Sequence, residues 1–466
     1  MNRFFYVCMA DYQLIIIGGG LSGIAAGIRA ARFGRKTLIL EQHSLPGGLN
    51  SYYFRQGHLL ETGLHAMTNC ALPGDKRAPL NRLFRQLHLS RKQFVLREQI
   101  GSEIRFSGRK LAFANDCRLL EEEIAREFPA VIDRFRLLRR EILQYDPFQP
   151  GPWRSARQFL AERLGVPLLE DMLLLPLMIY GNAEEHDMDL GQFAIMFRAV
   201  FEEGFFRPVG TMREFLELLV NQYLHFGGAI RYRCPVAKIL VAHGRIQGVR
   251  LADGEELTAE AVLSTAGIPE TIRLSGWDLP QDPYCGRMSF METIALLPST
   301  YAGGRDWQQT IIFYHTGKQL RYQRPSTFID TSWGVICFPE NFQDQIPAEL
   351  RQVRVTNAAN YSLWKALSTS EYLSGKEQWA TASIRASEEV IGPYQHAVVY
   401  RDSFTPLTIE RYTRKAHGAI YGSAVKIKDG VTPWPNLFIA GTDQGFLGII
   451  GAMLSGITVV NRHLLQ

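Results

Sequence analysis

The first fifty residues have the most regular pattern of apolar and polar positions in the chain. Residues 12–17, YQLIII, form a short run rich in β-branched side chains next to a glycine turn, which predicts a buried parallel strand. The following IAAGIRAARFG has apolar residues at helical spacing up to Gly34, and KTLILE then predicts a second strand. The pattern predicts a strand–helix–strand unit of about thirty residues.

Two later regions continue this α/β pattern. Residues 205–267 predict a helix ended by Gly227 and Gly228, then strands joined by a DGEE turn, and a last strand that closes at LSTAG. Near the C-terminus, LFIAG predicts a buried strand, followed by a turn and an apolar helix. With the N-terminal unit, these regions predict one α/β domain built from residues 11–70, 206–275 and 405–466.

Residues 71–205 and 276–404 lack these signals and are richer in long apolar helices and aromatic residues, which predicts a second, interleaved α+β domain. Two of its stretches are notably apolar, DMLLLPLMIY at 171–180 and QFAIMFRAVFEEGFF at 192–206. They fit a protein core, an apolar tunnel, or a segment that dips into a membrane interface. The sequence leaves these three interpretations open.

The composition is that of an ordinary globular protein with two domains. Of the 466 residues, 46% are hydrophobic and 21% are charged, and this length exceeds what one compact core holds. The formal net charge of +5 is spread along the chain without a basic run, so nucleic acid is not an expected partner. The six cysteines lack CxxC spacing, so we expect neither a dithiol relay nor a metal site.

The same features bear on location. Scattered single cysteines suit a reducing cytoplasm. The first ten residues are too short for a signal peptide, and Met9 directly precedes the patterned segment, so residues 1–8 are open to being an upstream extension. No stretch reaches the roughly 18 apolar residues that a spanning helix needs. We expect a cytoplasmic protein, either soluble or attached peripherally to a membrane.

Glycines fill the turn between the first strand and the first helix. GGGLSG sets Gly18, Gly20 and Gly23 in GxGxxG spacing, for a tight turn, close approach of a diphosphate and close helix–strand packing respectively. The helix N-terminus offers free N–H groups and a favourable dipole to the diphosphate. Glu41 ends the second strand, where a carboxylate accepts hydrogen bonds from an adenosine ribose. This order of strand, glycines, helix, strand and acid predicts a bound dinucleotide.

The continuation favours FAD over NAD as that dinucleotide. Gly47 and Gly48 provide a second point of close backbone approach shortly after Glu41, with an ordinary turn as the competing interpretation. HLLETGLHAM at 58–67 then returns over the place expected for a flavin ring. We expect non-covalent FAD, with further contacts in this half of the site from Leu21, Ser22, Gln42 and Leu49.

The C-terminal segment predicts the other half of the same site. Asp443 lies in the turn after LFIAG, where its carboxylate is expected to accept a hydrogen bond from a ribityl hydroxyl or to cap the next helix. Glycines recur every three residues from Gly445, so a flat ring could lie against that helix N-terminus; a glycine-rich packing seam is the alternative. Val236, expected at the end of a strand, is the predicted backbone contact of the adenine. The remaining expected contacts are Gly441, Gly448 and Ile449.

These motifs resemble the phytoene desaturase superfamily of FAD enzymes, and more closely its branch of carotenoid isomerases and retinol saturases. The resemblance implies a Rossmann-like FAD-binding domain of the glutathione reductase and amine oxidase type. It also implies redox chemistry on double bonds of a long, apolar, isoprenoid-like molecule (desaturation, saturation or cis–trans isomerisation) and peripheral attachment to membranes. Leu49 stands where many relatives carry an arginine. The resemblance is carried by GGGLSG at 18–23, LEQHSLPGG at 40–48, ETGLHAM at 61–67, RPVGTMREFLELLV at 207–220, TPLTIERYTRKAHGAIYGS at 405–423 and LFIAGTDQGFLGIIGAMLSG at 437–456.

Few side chains are expected to act directly in such a reaction, because a flavin moves a hydride through its N5 and the protein mainly positions the substrate and excludes water. His65 could donate or accept a proton at neutral pH. Arg411 and Tyr421 could orient a polar head group or stabilise charge, and a structural hydrogen bond is the competing interpretation for all three. No second GxGxxG unit follows residue 60, so the electron partner stays open among quinone, oxygen, a small reductant and transient nicotinamide contact.

Two other functions fit the same fold. A flavin amine oxidase would oxidise a C–N bond and often holds FAD through a cysteine near the C-terminal motif, but no cysteine follows Cys337. A lipid-binding escort protein, like the GDP-dissociation inhibitors, would resemble this fold without FAD, and the intact GxGxxG with Glu41 and Asp443 argues against it. The prediction is an FAD-dependent oxidoreductase.

Overall fold

The computed structural model describes residues 10–63, 66–70, 74, 78–106, 108–149, 151–317, 319–344 and 348–465. Its strands are β1 (Tyr12–Ile17), β2 (Thr37–Leu40), β3 (Tyr52–Arg55), β4 (His58–Glu61), β5 (Leu96–Glu98), β6 (Ser102–Phe106), β7 (Arg109–Phe113), β8 (Phe206–Pro208), β9 (Ala229–Arg231), β10 (Val236–Ala242), β11 (Arg245–Leu251), β12 (Glu256–Ser264), β13 (Ser289–Pro298), β14 (Ile311–His315), β15 (Ile329–Cys337), β16 (Leu350–Ala359), β17 (Tyr400–Phe404) and β18 (Leu437–Ile439). Its α-helices are α1 (Leu21–Arg32), α2 (Pro79–Leu87), α3 (Cys117–Glu127), α4 (Ile132–Gln144), α5 (Ala156–Leu164), α6 (Pro167–Gly181), α7 (Leu190–Phe197), α8 (Met212–His225), α9 (Ile268–Ser275), α10 (Tyr361–Lys365), α11 (Thr369–Ile391), α12 (Pro406–Thr413) and α13 (Gly448–Val459).

The first sheet joins strands from distant parts of the chain. Its order is β10, β11, β12, β1, β2 and β9, and β18 pairs with the end of β12. β1 runs parallel to both β2 and β12, with Ile16 opposite Ile39 on one side and Leu263 on the other. The predicted strand–helix–strand unit and the LFIAG strand are confirmed, and β1 is buried over its last four residues as a central parallel strand requires.

Helices α1, α8 and α13 pack on one face of this sheet in a single apolar cluster. The approach of α13 to α1 depends on Gly456, since a Cβ there would lie 2.1 Å from the carbonyl oxygen of Ser22. Gly23 has the predicted packing role, because its own Cβ would lie 2.0 Å from the carbonyl oxygen of Gly18. The backbones of the first and last helices are therefore in direct contact beside the glycine turn.

The second sheet has the order β17, β13, β16, β15, β14, β6 and β7. One face carries α11 and an apolar cluster that includes Tyr314 and Trp307. The opposite face, which we call the inner face, packs against α3 to α7 and contributes to the largest apolar cluster of the described residues. Its aromatic side chains include Phe313 and Trp333.

The two apolar stretches lie in this core. In α6 every described residue from Leu169 to Ile179 is buried, and Phe193, Phe197 and Phe201 of the second stretch are also fully buried. The core interpretation is therefore confirmed for both stretches. Among the described residues, no helix has the length and apolar character needed to cross a bilayer.

Candidate functional site

A cleft opens along the carboxyl ends of β1 and β2, where the glycine turn, the second glycine pair and the C-terminal segment converge. Its far wall comes from the start of α9 and from the segment after α12. Most of the predicted cofactor contacts line this cleft: Gly18, Gly20, Leu21, Ser22, Glu41, Gln42, Gly47, Gly48, Leu49, Val236 and Gly441.

The two glycine pairs meet across the base of the cleft. The Gly47 N–H donates to the Gly19 carbonyl over 2.8 Å, and Gly20 and Gly47 form an isolated parallel bridge. A Cβ on Gly20 would meet no atom within 4 Å, and Gly48 approaches the backbone of Gly20. A patch of bare backbone is thereby exposed to the cleft, as a diphosphate needs for close approach.

The N-terminus of α1 faces this patch without a side-chain cap. Its N-cap is Gly20, which has no side chain to accept from the first N–H groups. The Ser22 hydroxyl is buried and has no hydrogen-bond partner among the described residues. Free N–H donors, the positive end of the helix dipole and an unsatisfied hydroxyl together fit an anionic diphosphate.

Glu41 is held rigidly at the end of the second strand. Its Oε2 accepts from the Gly19 N–H over 2.7 Å and its Oε1 accepts from the His43 N–H over 2.7 Å. Burial raises the pKa of Glu41, and these backbone donors partly oppose that rise. Each carboxylate oxygen keeps a second lone pair, so the group can still accept from a ribose hydroxyl.

Four predicted contacts lie outside the lining of the cleft. Gly23 is inside the α1 packing contact, while Gly448 and Ile449 begin α13 behind an N-cap, Leu447, that has no side-chain hydrogen bond. Gly445 precedes α13 and is not part of it, and Val236 begins its strand instead of ending one. Asp443, the fourth predicted contact outside the cleft lining, is almost completely buried, with an exposed fraction of 1%.

The carboxylate of Asp443 caps a different helix from the one predicted. Its Oδ2 accepts from the N–H of Ile268, the first residue of α9, over 2.6 Å, and its Oδ1 accepts from the Ser423 N–H over 3.0 Å. The prediction that it caps the following helix is therefore wrong. The cause is a long-range contact: α9 begins beside the C-terminal turn because β12 and β18 are neighbours.

Buried charges surround Asp443. Burial alone would raise the pKa of Asp443, but Lys415, Lys426 and the two backbone donors outweigh it and lower the pKa. The Lys415 ammonium lies 3.8 Å from Asp443 and donates to the Thr442 hydroxyl over 3.1 Å. Burial lowers the pKa of Lys426 to about 8. The fourth charged group, Glu270, lines the cleft and has its pKa raised by burial.

Of the three predicted catalytic residues, the structure describes Arg411 and Tyr421, and these two lie apart. His65 lies outside the described residues. Arg411 is exposed in a neighbouring groove that also contains Lys365 and Glu410. Tyr421 donates its hydroxyl to the Ile179 carbonyl of α6, and burial raises its pKa. Tyr421 thus links the C-terminal segment to the core under the second sheet.

Several lining residues were missed by the sequence reasoning. Lys415 lies in the TIERYTRKAHG stretch, in which only Arg411 was predicted to have a functional role. Thr265 lies within LSTAG, at the end of β12, and Glu270 lies in α9, which follows it. This is a second strand-to-helix turn at the same edge of the sheet. The signal was present, since the carboxyl ends of parallel strands share one edge. The other missed residues are Ile17, Leu40, Asn50, Cys234, Ala266, Arg273, Leu274, Tyr412, Thr413, Arg414, Thr442 and Ala452.

A glycine-lined cleft at the carboxyl ends of β1 and β2, an uncapped helix N-terminus and a fixed acid at the second strand define a dinucleotide-binding oxidoreductase fold. Residues 21–281, more than half of the chain, match the family described as flavin containing amine oxidoreductase. The chain belongs to this family, and it is an FAD-dependent oxidoreductase.

Individual relatives and solved structures are more distant. The chain is 22% identical to an all-trans-retinol 13,14-reductase of Danio rerio, over 97% of this chain and 87% of the relative. It is 21% identical to prolycopene isomerase 1 of an Oncidium hybrid cultivar, over 97% of this chain and 84% of the relative. A solved structure of a putrescine oxidase variant has a TM-score of 0.67 at 14% identity, covering 97% of this chain and 99% of that one, which shows a shared fold.

Proposed function

We propose that the protein acts on carbon–carbon double bonds of an apolar, isoprenoid-like substrate of carotenoid or retinoid type. The reaction would be a desaturation, a saturation or a cis–trans isomerisation. The observation that carries the proposal is the likeness over nearly the whole chain, 97%, to a retinol reductase and to a prolycopene isomerase. Both relatives are named for changes at polyene double bonds, and the resemblance therefore extends through the second domain as well as the nucleotide domain.

The inner face of the second sheet supports this substrate class. Phe313, Trp333 and Val335 of the sheet, with Phe205 and Tyr180 from the opposing layer, form a buried apolar and aromatic cluster. The ring centroids of Tyr180 and Phe205 are 4.7 Å apart. An apolar and aromatic cluster of this kind is a more favourable neighbour for a polyene than for a charged amine, because burial of a charge among apolar side chains is costly.

We propose that the residues lining the cleft hold the ADP half of FAD. The Gly20 backbone, the α1 N-terminus and the Ser22 hydroxyl would bind the diphosphate, and Glu41 would accept from the ribose. When bound, FAD supplies a hydride acceptor or donor at N5. The chain's own task is then to orient the polyene against that atom and to exclude water, which the apolar inner face supports.

We propose the domain division 11–70, 206–275 and 405–466 for FAD, and 71–205 and 276–404 for substrate. The membership of the two sheets supports this division. Every strand of the first sheet lies in the ranges proposed for FAD, and every strand of the second sheet lies in the ranges proposed for substrate. Each sheet also has apolar clusters of its own.

Peripheral membrane attachment is the related proposal for location. Helix α4 and the residues after it expose Leu137, Leu143, Phe148 and Trp153, with exposed fractions of 57%, 44%, 74% and 53%. Exposed Arg140 and Arg154 lie among them, and neither makes an ion pair within the described part of the chain. Apolar side chains interspersed with free cations suit the interface of an anionic bilayer, where an isoprenoid substrate would dissolve.

The test is flavin redox exchange in the absence of oxygen. The purified yellow holoprotein is reduced, then mixed with a retinoid or carotenoid polyene, and flavin reoxidation is followed near 450 nm together with the product by mass analysis. In parallel, the oxidised protein is mixed with putrescine and other amines. We expect a polyene to reoxidise the flavin or to be isomerised, and we expect amines not to reduce the flavin. Flavin reduction by amines alone would contradict the proposal and would indicate an amine oxidase. A colourless protein that takes up no FAD would favour an escort protein.

A further inference from the structure

Two buried arginines lie where the nucleotide domain meets the inner face of the second sheet. Arg354 of β16 is 0% exposed, and Arg207 of β8 is 7% exposed. Both bind Glu61, the last residue of β4: the Arg207 Nη2 donates to its carboxylate over 2.6 Å, and the Arg354 Nη2 donates to its carbonyl over 2.7 Å. The two arginines are therefore held in place by the same residue, Glu61, which belongs to the segment expected to lie over the flavin.

This place is adjacent to the wall of the nucleotide cleft. Thr62 follows Glu61 and donates its hydroxyl to the Leu49 carbonyl over 2.9 Å, and Leu49 lines the cleft. On its other side, Arg354 lies beside Cys337 in the register of β15 and β16. The arginines are thus located between the cofactor cleft and the apolar inner face, where one end of a substrate would lie.

Each arginine has its own carboxylate. The Arg207 guanidinium pairs with Glu61, and the Arg354 Nε donates to the Glu292 Oε1 over 2.6 Å. Burial disfavours the charge of Arg354, but Glu292 and Glu61 outweigh it and raise its pKa. The two cations and two carboxylates balance, and one more buried carboxyl, Glu340, lies within electrostatic reach of Arg207. A further negative charge on a ligand would therefore be repelled.

Donors remain unused in this neutral cluster. Among the described residues, the Nη1 of Arg207, the Nη1 of Arg354 and the hydroxyl of Tyr180 are buried and have no hydrogen-bond partner. Tyr180 belongs to the same place, because its ring centroid lies 4.7 Å from that of Phe205, which is two residues before Arg207. Burial raises the pKa of Tyr180, and Cys337 and Glu292 add to this rise. Each unsatisfied buried donor costs about 1–3 kcal/mol, so three of them in one place point to a ligand with an acceptor atom.

We propose that Arg207, Arg354 and Tyr180 form a binding site for the neutral terminal oxygen of an oxygenated isoprenoid, an alcohol or an aldehyde. This inference rests on the proposed polyene function and narrows its substrate class. A pure hydrocarbon would leave the three donors unsatisfied. A ligand carboxylate would be repelled by the three buried carboxyl groups, Glu61, Glu292 and Glu340. The site selects the end of the substrate, and so fixes which double bond lies nearest the flavin.

The test compares four probes that share one C20 retinoid skeleton: the alcohol, the aldehyde, the carboxylate and the hydrocarbon. Binding to the oxidised holoprotein is measured by the change in flavin absorbance and by quenching of tryptophan fluorescence, with no turnover required. We expect the alcohol and the aldehyde to bind at least about tenfold more tightly than the hydrocarbon, as one charged hydrogen bond allows. The carboxylate should bind more weakly than the alcohol.

Tyr180→Phe is the least disruptive variant, because the hydroxyl it removes bonds nothing within the described residues. It should weaken the alcohol about fivefold and leave the hydrocarbon unchanged. Arg207→Lys and Arg354→Lys keep the charge that Glu61 and Glu292 need and should weaken the alcohol about tenfold. Tyr314→Phe, on the opposite face of the sheet, is the control for loss of a tyrosine hydroxyl; it removes the acceptor of a hydrogen bond from Asn357 but should change neither affinity.

The outcomes separate this inference from the function on which it rests. Equal affinity for hydrocarbon and alcohol, or equal loss of both in Tyr180→Phe, would overturn the oxygen site and leave the polyene function intact. Tighter binding of the carboxylate than of the alcohol would overturn the neutral charge balance. Failure of all four probes to bind, in a protein that holds FAD, would count against the polyene function itself.

Discussion

Replacement of Gly20 by alanine tests the cofactor cleft most directly. Gly20 has φ −73° and ψ 173°, an extended conformation that alanine adopts without strain. A Cβ there would meet nothing within 4 Å, so the methyl group would project into the cleft and not into the protein. The folded apoprotein should tolerate the change, whereas the diphosphate of FAD should not.

The magnitudes follow from these two facts. Alanine stabilises through the unfolded chain by about 0.4–1 kcal/mol and loses a similar amount as a poorer N-cap, so the free energy of unfolding of the apoprotein should change by less than about 1 kcal/mol. In the cleft, the methyl would hold the phosphates away from the backbone donors. Loss of two charged hydrogen bonds at about 1.5–3 kcal/mol each predicts FAD binding weaker by about 10²- to 10⁴-fold.

The assay needs both quantities. FAD affinity is measured by titration of deflavinated protein, and apoprotein stability by urea unfolding. Gly23→Ala is the matched control, because its Cβ would lie 2.0 Å from the Gly18 carbonyl oxygen and should destabilise the apoprotein itself by about 1–3 kcal/mol. FAD affinity unchanged in Gly20→Ala would refute the assignment of this backbone to the diphosphate.

Three further predictions follow from the same structure. Ser22→Ala removes a hydroxyl that has no partner among the described residues, so apoprotein stability should hold while FAD affinity falls about fivefold in the same titration. Burial lowers the pKa of Lys426 to about 8, so between about pH 8 and pH 10.4 the unfolded chain holds a proton that the folded chain has lost, and its contribution to stability rises with pH. The free energy of unfolding is measured with urea for Lys426→Met and for the wild type at pH 7 and at pH 10.4. The difference between the two proteins should shift by about 2–3 kcal/mol in favour of the wild type at the higher pH. A difference that does not change with pH would count against the lowered pKa of Lys426. The double variant Phe148→Ser, Trp153→Ser should bind anionic phospholipid vesicles at least about tenfold more weakly in co-sedimentation, while Phe33→Ser, which is 55% exposed elsewhere, should not.

The parts of the site that could be predicted are those written in a continuous stretch of sequence. GGGLSG and Glu41 belong to one strand–helix–strand unit whose local geometry follows from glycine spacing and apolar period, and the structure has this unit as expected. The LFIAG strand and the helix behind it were predicted on the same grounds. Local pattern was sufficient here because each residue's task depends on its immediate neighbours.

The parts that could not be predicted depend on partners far away in the chain. Asp443 caps α9 across 175 residues, and nothing near it in sequence indicates that choice. For Tyr421 the sequence left open a role at the substrate or a structural hydrogen bond, and it could not indicate that the partner would be the Ile179 carbonyl of α6. The Arg354 site was also invisible, because a buried arginine in a strand has no periodic signature. Side-chain chemistry assigned by type alone fails where tertiary contacts decide the partner.

The contact between α1 and α13 has a consequence for how the protein is made. The first helix leaves the ribosome hundreds of residues before the last one, yet Gly456 lies against the Ser22 backbone and Gly441 closes the same cleft. One side of the nucleotide cleft therefore stays open until α13 has been synthesised, and contacts of such long sequence separation form slowly. Nascent chains that still lack this C-terminal segment should therefore be unable to retain FAD.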